Sequence, residues 1–563
     1  MINVGPSVVT VIASRGRGNP LKENMNNNNL DLRPGFLSII LHAHLPFVRH
    51  PEYSDMMEER WLYEAITETY IPLIDVFYKL LKEGIFFRIT MTLTPPLLNM
   101  LSDELLMDRY SDYLAKLEEL SEKEVERTKN MPEFYNTARL YRDKYKKFRD
   151  IFEKLEHNLI NAFKYFQDKG VLEIITCCAT HGFLPLMKDY RPSVRAQIEV
   201  GVSEYYRYFN RQPRGIWLAE CAFHRGDDEF LKDFGIEYFI ADSHGITKAE
   251  PRPTYGVYAP IKCPSGVKAF GRDMESGHQV WSSIIGYPGD PYYREFYRDI
   301  GYDLDFDYIK PYIHESGLRL NTGIKYYRIT DRSSSEKEPY SYQEAMKRAA
   351  THGGHFIWCR ERQVEYLMQH MDRKPIIVAP YDCELFGHWW YEGPDFIYYV
   401  LKKTALESKY VNLATPSDYI DYYPGIQEAT PSDSTWGANG YCEVWLNDTN
   451  AWIYPHMHKA AERMIKLADS FPEAEGLQRE ALNQAARELM LLQSSDWAFI
   501  MKMDTTVGYA KKRVKDHVFR FTKLFEDINK DQINEAWLRE VERRDNIFPE
   551  MDYRVYRSSR NNK

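Results

Sequence analysis

Phe36-Leu37-Ser38-Ile39-Ile40-Leu41-His42-Ala43-His44 is an apolar run of strand length that ends abruptly in two histidines. The same construction recurs along the chain. Apolar runs predict strands over Phe36 to Leu41, Phe86 to Leu93, Val171 to Ala179, Gly215 to Leu218, Tyr238 to Ala241, His355 to Cys359, Ile376 to Ala379 and Val411 to Ala414, with segments of helical periodicity between them. Several runs stop at the least ordinary polar residues: Thr180-His181-Gly182 after the third, Glu220 after the fourth, Asp242 after the fifth and Asp382 after the seventh. In α/β barrels the reacting groups stand at the C-terminal strand ends, where the loops converge on one mouth. The pattern predicts a barrel enzyme.

Around this core the organisation changes twice. Residues 104–167 are dense in Glu, Lys, Arg and Tyr at helical spacing and are expected to be a helical insertion between barrel parts at 35–103 and 168–424. Beyond about 425 strand signals fade and amphipathic helices take over, at His456 to Ser470, Glu475 to Leu492, Gly508 to Ile528 and Asp531 to Arg544. A helical C-terminal domain over 425–563 is expected. Residues 1–34, with four asparagines at 26–29, carry no periodic pattern and read as a flexible leader.

Composition narrows the function. The 563 residues carry a net charge of −9, which disfavours nucleic acid as a partner because phosphates demand a basic face. No apolar run approaches the roughly 18 residues that span a bilayer, so no membrane role is expected. The seven cysteines form no CxxC pair, which fits a reducing, cytoplasmic compartment. Aromatic residues make up 14%, including 42 Tyr and 11 Trp; they suit stacking on sugar faces as well as a large core.

Two segments carry the chemistry. Gly215-Ile216-Trp217-Leu218-Ala219-Glu220-Cys221 places a carboxyl at a strand end beside Trp217, where partial burial would raise its pKa, although a helix-capping role fits the position too. Ala379-Pro380-Tyr381-Asp382-Cys383-Glu384-Leu385-Phe386-Gly387-His388-Trp389-Trp390 gathers two carboxylates, a histidine and two tryptophans; a structural ion-pair network is the plainer alternative. A carboxyl pair is what glycoside chemistry needs, one group attacking the anomeric carbon while the other moves the proton. His42 and His44 lie two apart and, with His181, suit either sugar hydroxyls or zinc. Phe270 to Asp290, with Arg272 and Trp281, reads as a long functional loop, and Ser494-Ser495-Asp496-Trp497 as the end of a helix.

Taken together, these segments resemble glycoside hydrolase family 57, and within it the branching-enzyme group. The motifs that carry the resemblance are His42-Ala43-His44-Leu45-Pro46-Phe47, Thr180-His181-Gly182-Phe183, Trp217 to Phe223, Gly271-Arg272-Asp273, Gln279-Val280-Trp281-Ser282, Tyr381 to Trp390 and Ser494 to Trp497, spread over about residues 36 to 525. The resemblance implies an incomplete (β/α)7 barrel with a helical insertion and an all-helical C-terminal domain. It implies Glu220 as nucleophile and Asp382 as general acid/base, acting on an α-1,4-glucan such as amylose or a glycogen-like polymer. His44, His181, Trp281, Trp436, Trp445 and Asp496 are implied as sugar-binding residues; His42, Trp217, Arg272, His388 and Trp389 join them as candidates. No cofactor or metal is implied. The chain departs from the family's usual pattern at Ala219, Phe223 and Cys383, where Pro, Tyr and Thr are common.

Some members of the group carry a loop tyrosine that shields the intermediate from water, and Tyr255 and Tyr258 are candidates for it. The alternatives are an α-amylase or 4-α-glucanotransferase on the same site, a non-catalytic glucan-binding protein, and a metal-dependent deacetylase-like barrel. A retaining mechanism predicts carboxyls about 5 to 5.5 Å apart, against roughly 6.5 to 9.5 Å for inversion.

Overall fold

The computed structural model describes residues 33–282, 285–314, 316–331 and 333–559. Its strands are β1 (Gly35–Ala43), β2 (Ile89–Leu93), β3 (Leu172–Cys177), β4 (Gly215–Trp217), β5 (Tyr238–Ala241), β6 (Ile261–Lys262), β7 (Lys268–Gly271), β8 (Ile376–Asp382) and β9 (Val411–Leu413). They pair in the order β6-β7-β5-β4-β3-β2-β1-β8, all parallel except β6 against β7. Seven parallel strands, β7 to β8 in that order, therefore form the expected incomplete barrel wall. Strand β9 adds to the first residues of β1. No strand ladder joins β7 to β8 among the described residues; instead the Asp273 N–H donates to the Val378 carbonyl at 2.8 Å. All nine residues of β1 are buried, which is why it reads as a continuous apolar run rather than an alternation.

The predicted strand at His355 to Cys359 lies inside a helix, Tyr342–Leu367. Its buried residues Ala345, Ala349, Gly353, Phe356, Arg360 and Val364 recur every three or four positions, and this longer period overrides a five-residue apolar run. The seventh parallel strand is β7, inside what reads as loop. Met274–Trp281, in the same stretch, is a helix whose N-terminus is capped by the Asp273 carboxylate accepting from Ser276 N–H at 2.7 Å. Ser494 to Trp497 likewise opens a helix, Ser495–Met503, instead of closing one.

Residues 1–32 of the expected leader lie outside the described residues. Arg33, near its end, is anchored: its guanidinium donates to the carbonyls of Thr404 and Val411 at 2.7 and 2.9 Å. Tyr255 and Tyr258 stand at the wrong end of the barrel for shielding the reaction. The Tyr258 carbonyl accepts from Ile376 N–H at the start of β8, and Tyr255 bonds Asp372 at 2.5 Å, both far along the strand from Asp382.

Two long helices, Glu104–Arg127 and Pro132–Lys154, pack against each other over residues 104–154. They cover a helical stretch, Glu59–Lys82, that is interrupted by one π-helical turn at Ile66–Tyr70. Such turns are rare and concentrate at functional sites. After the barrel come helices Ile453–Ser470, Gly476–Leu492, Ser495–Met503, Val507–Lys530 and Glu535–Arg544.

Helix Arg191–Phe209 seats against β3 through Gly201, where an added Cβ would lie 2.1 Å from the Cys177 carbonyl oxygen. Gly201→Ala should therefore push the helix off the strand and destabilise the fold by about 1 to 3 kcal/mol, read as a lower midpoint in urea. An unchanged midpoint would mean the two elements are not in such close contact.

Candidate active site

Strand β4 ends at Trp217, and the chain then turns sharply to expose Glu220. Glu220 and Cys221 have φ of 63° and 49°, and His181, past the end of β3, has 58°. Left-handed backbone at non-glycine residues costs about 1 to 3 kcal/mol each and persists where the surroundings enforce it, characteristically at functional sites. Here the enforcement comes from outside the barrel. The Glu220 carbonyl accepts from Trp436 N–H at 3.0 Å, and Phe223 and Ser434 exchange backbone hydrogen bonds at 2.9 and 3.2 Å. The His181 carbonyl accepts from Ser495 N–H at 3.0 Å.

The Glu220 carboxylate is held on both oxygens. Trp436 Nε1 donates to Oε2 at 2.8 Å, and Ser495 Oγ donates to Oε1 at 3.1 Å. Burial pushes the Glu220 pKa up to about 7, against the opposing pull of these two donors.

Beside it stands a stack of imidazoles. The rings of His44 and His181 lie 3.9 Å apart, and His42 stacks on Trp217 at 4.6 Å. His42 Nε2 and His181 Nε2 share a hydrogen bond at 3.0 Å, while His181 Nδ1 meets Ser495 Oγ at 2.7 Å. Burial, reinforced by the neighbouring imidazoles, holds His42 and His181 well below the usual histidine pKa, so both are neutral. Burial also opposes a charge on His44, but Asp496 outweighs it: both carboxylate oxygens lie 3.1 Å from His44 Nε2. Asp496 correspondingly falls to about 2 despite its burial. His44, His181 and Asp496 bring their ligand atoms within 4.8 Å of one another, as a cation site would. Both ring nitrogens of His181 and Nε2 of His44 are, however, already engaged with protein partners.

Asp382 ends β8 directly opposite His42 of β1. No hydrogen bond to its carboxylate is found among the described residues. Burial, then the nearby carboxylates of Glu384 and Glu220, raise its pKa well above the ordinary value, with Arg272 opposing. Of the pair, Asp382 is the one whose neighbours, Glu384 and Glu220, favour the protonated form. Glu384 is fixed from two sides: Oε1 accepts from Tyr70 OH at 2.5 Å and from His44 N–H at 3.2 Å. Tyr70 lies on the π-helical turn, and Glu68 of the same turn pairs with His388 Nδ1 at 2.5 Å. Gly387 lies against that turn so closely that a Cβ would meet the Glu68 carbonyl oxygen at 1.9 Å.

The other expected residues divide into those facing the mouth and those behind it. Arg272 pairs with Asp242 at 3.3 Å and lies 5.9 Å from the centre of the Trp436 ring, whose edge also meets Trp281 at 6.0 Å. Trp217, His42 and Trp445 are buried and offer no face to a sugar. Trp445 instead stacks on Phe183 at 4.5 Å and closes on Gly437, supporting the turn that bears Trp436. Trp389 is exposed and His388 half-buried. Sequence reasoning missed Ser495, Glu384 and Tyr70 as site residues. Ser495 had a signal, since it immediately precedes Asp496; Tyr70 had none, because a π-helical turn leaves no periodic mark.

Residues 38–374 match the family model described as glycosyl hydrolase family 57, and residues 456–556 the model described as 1,4-alpha-glucan branching enzyme, C-terminal. A 1,4-alpha-glucan branching enzyme of Thermococcus kodakarensis is 33% identical over 549 residues, 91% of this chain and 77% of that protein. The crystal structure of the alpha-amylase AmyC from Thermotoga maritima is 48% identical, with a TM-score of 0.89, and the match covers 94% of this chain and 100% of that one. A GH57-type branching enzyme from Pyrococcus horikoshii is 33% identical with a TM-score of 0.84, over 94% of this chain and 97% of its own. The chain belongs to glycosyl hydrolase family 57.

Proposed function

We propose that this chain is a retaining 1,4-α-glucan branching enzyme, with Glu220 as nucleophile and Asp382 as acid/base. One observation carries the reading: two carboxyls, Glu220 buried and Asp382 half-buried, stand at strand ends of one mouth, Glu220 held by two hydrogen-bond donors and Asp382 by none among the described residues. The Glu220 carboxylate attacks the anomeric carbon of an α-1,4-linked chain as the glycosidic C–O bond breaks, and the Asp382 proton passes to the departing 4-oxygen. A glucan 6-hydroxyl then attacks the same carbon, gives its proton to Asp382 and releases Glu220, leaving an α-1,6 branch. Asp496, paired with His44, supplies hydrogen bonds to sugar hydroxyls, Trp436 and Trp281 supply stacking faces, and His181, with both ring nitrogens engaged, positions Ser495. The catalytic unit is read as residues 35–103 with 168–424, the insertion as 104–167 and the C-terminal domain as 425–563. No helix among the described residues is long and apolar enough to cross a membrane. A cytoplasmic location matches the unpaired cysteine pattern.

The second reading is an α-amylase, favoured by the 48% identity to AmyC along the whole of that chain. It uses the same two carboxyls with water as the acceptor. Incubation with amylose separates the two: branching creates α-1,6 linkages with little rise in reducing ends, whereas reducing ends rising without new branches would replace the first reading by the second.

Asp382→Asn should lower kcat by about 10²- to 10⁴-fold, and Glu220→Gln should abolish turnover while glucan binding persists. Full activity in Glu220→Gln would rule Glu220 out as nucleophile. Activity should survive exhaustive chelation; its loss, restored by zinc, would favour the deacetylase-like alternative.

The pH profile follows from the same charges. Glu220 must be ionised, so kcat/KM falls as pH drops through about 7, and Asp382 must be protonated, so it falls again at higher pH. Glu384→Gln removes a negative neighbour of Asp382, lowers its pKa and should move the alkaline limb to lower pH. A limb that stays put would show that Glu384 carries no charge felt at Asp382.

A further inference from the structure

The segment from Glu295 to Asp303 is irregular yet held as firmly as a regular element. The buried Asp299 carboxylate accepts from the backbone N–H of Gly301, Thr322 and Gly323 at 2.8, 2.9 and 2.9 Å, and from the Thr322 hydroxyl at 2.8 Å. The buried ammonium of Lys325 sits 3.8 Å from Asp299 and 4.9 Å from the centre of the Phe296 ring, and donates to the Phe296 carbonyl. What this rigid segment presents to solvent is aromatic. Phe296 stacks on Trp389 with centroids 4.7 Å apart and planes at 21°, and Tyr297 stands edge-on to Phe296 at 5.1 Å. Tyr297 is 81% exposed and Trp389 58%. A rigid surface of flat rings with no core to fill marks a binding face, and its order in advance reduces the entropy lost on binding.

Its position says what it binds. Trp389 lies on the segment that leaves Asp382, and the intervening His388 touches both Phe296 and Trp389, at 5.9 and 5.3 Å between ring centres. His388 is fixed by Glu68 and Thr69 of the same π-helical turn whose Tyr70 holds Glu384. The aromatic face is thus continuous with the loop that carries the acid/base. Two exposed rings fall well short of the roughly 800 Å² per partner that a stable dimer buries.

We infer that Trp389, Phe296 and Tyr297 form a stacking platform for an α-glucan chain, gripping sugar units beyond those bonded at the reacting carbon. This rests on the α-glucan reading of the site. The platform serves long chains and leaves short ones untouched. Stacking of one ring is worth about tenfold in affinity, so in Trp389→Ala and in Tyr297→Ala the ratio of kcat/KM for amylose to that for maltotetraose should fall about that much, and Trp389→Phe should restore it. Tyr297, being exposed, carries the test if Trp389→Ala does not fold. An unchanged ratio in folded variants would overturn the platform, as would a wild-type dimer that Tyr297→Ala dissociates. Wild-type protein inert toward both glucans and unretarded in an amylose gel would instead sink the α-glucan reading, and the platform with it.

Discussion

Everything in the site hangs on how the Glu220 carboxylate is held. Strand β4 is only three residues long and delivers Glu220 on a left-handed turn that the strand alone does not enforce. The constraint comes from Trp436, with one backbone and one side-chain tie to Glu220, and Ser495, with one backbone tie to His181 and side-chain ties to both His181 and Glu220. The barrel supplies the carboxylate, and the segments after it supply its orientation. A hydrogen-bonded carboxylate in a buried setting is electrostatically strong yet expensive to leave unpaired, so these donors serve position and ionisation together.

The same logic separates the two carboxyls. Glu220 is buried and Asp382 half-buried, and loss of solvent alone would favour the proton on both. The donors on Glu220 favour its charge, while Glu384 and Glu220 face Asp382 and favour its proton. Glu384 accepts hydrogen bonds from Tyr70 and from the His44 backbone, so the π-helical turn has a stated electrostatic reason to exist.

Much of this was legible in the chain because parallel strands buried on both faces write themselves as apolar runs, and functional groups gather at their ends. Glu220, Asp382, His42 and His181 all stand where such runs stop, and the barrel was readable from the same signal. What failed was short range. His355 to Cys359 looks like a strand only when the rest of the 26-residue helix is ignored, and β7 is four residues long and pairs with a hairpin partner of two. Tyr255 and Tyr258 lie in a loop adjacent in sequence to the site, but the loop runs back to the opposite end of the barrel. Tyr70 reaches the site only through tertiary packing, which no local pattern encodes, and Ser495 is marked only by its neighbour Asp496.

The two donors that orient Glu220 sit at positions 436 and 495 of a 563-residue chain. During synthesis the barrel strands leave the ribosome first, yet the carboxylate has neither partner until the later segments follow and dock. A nascent or prematurely ended polypeptide therefore holds both proposed reacting residues without the donors that aim Glu220.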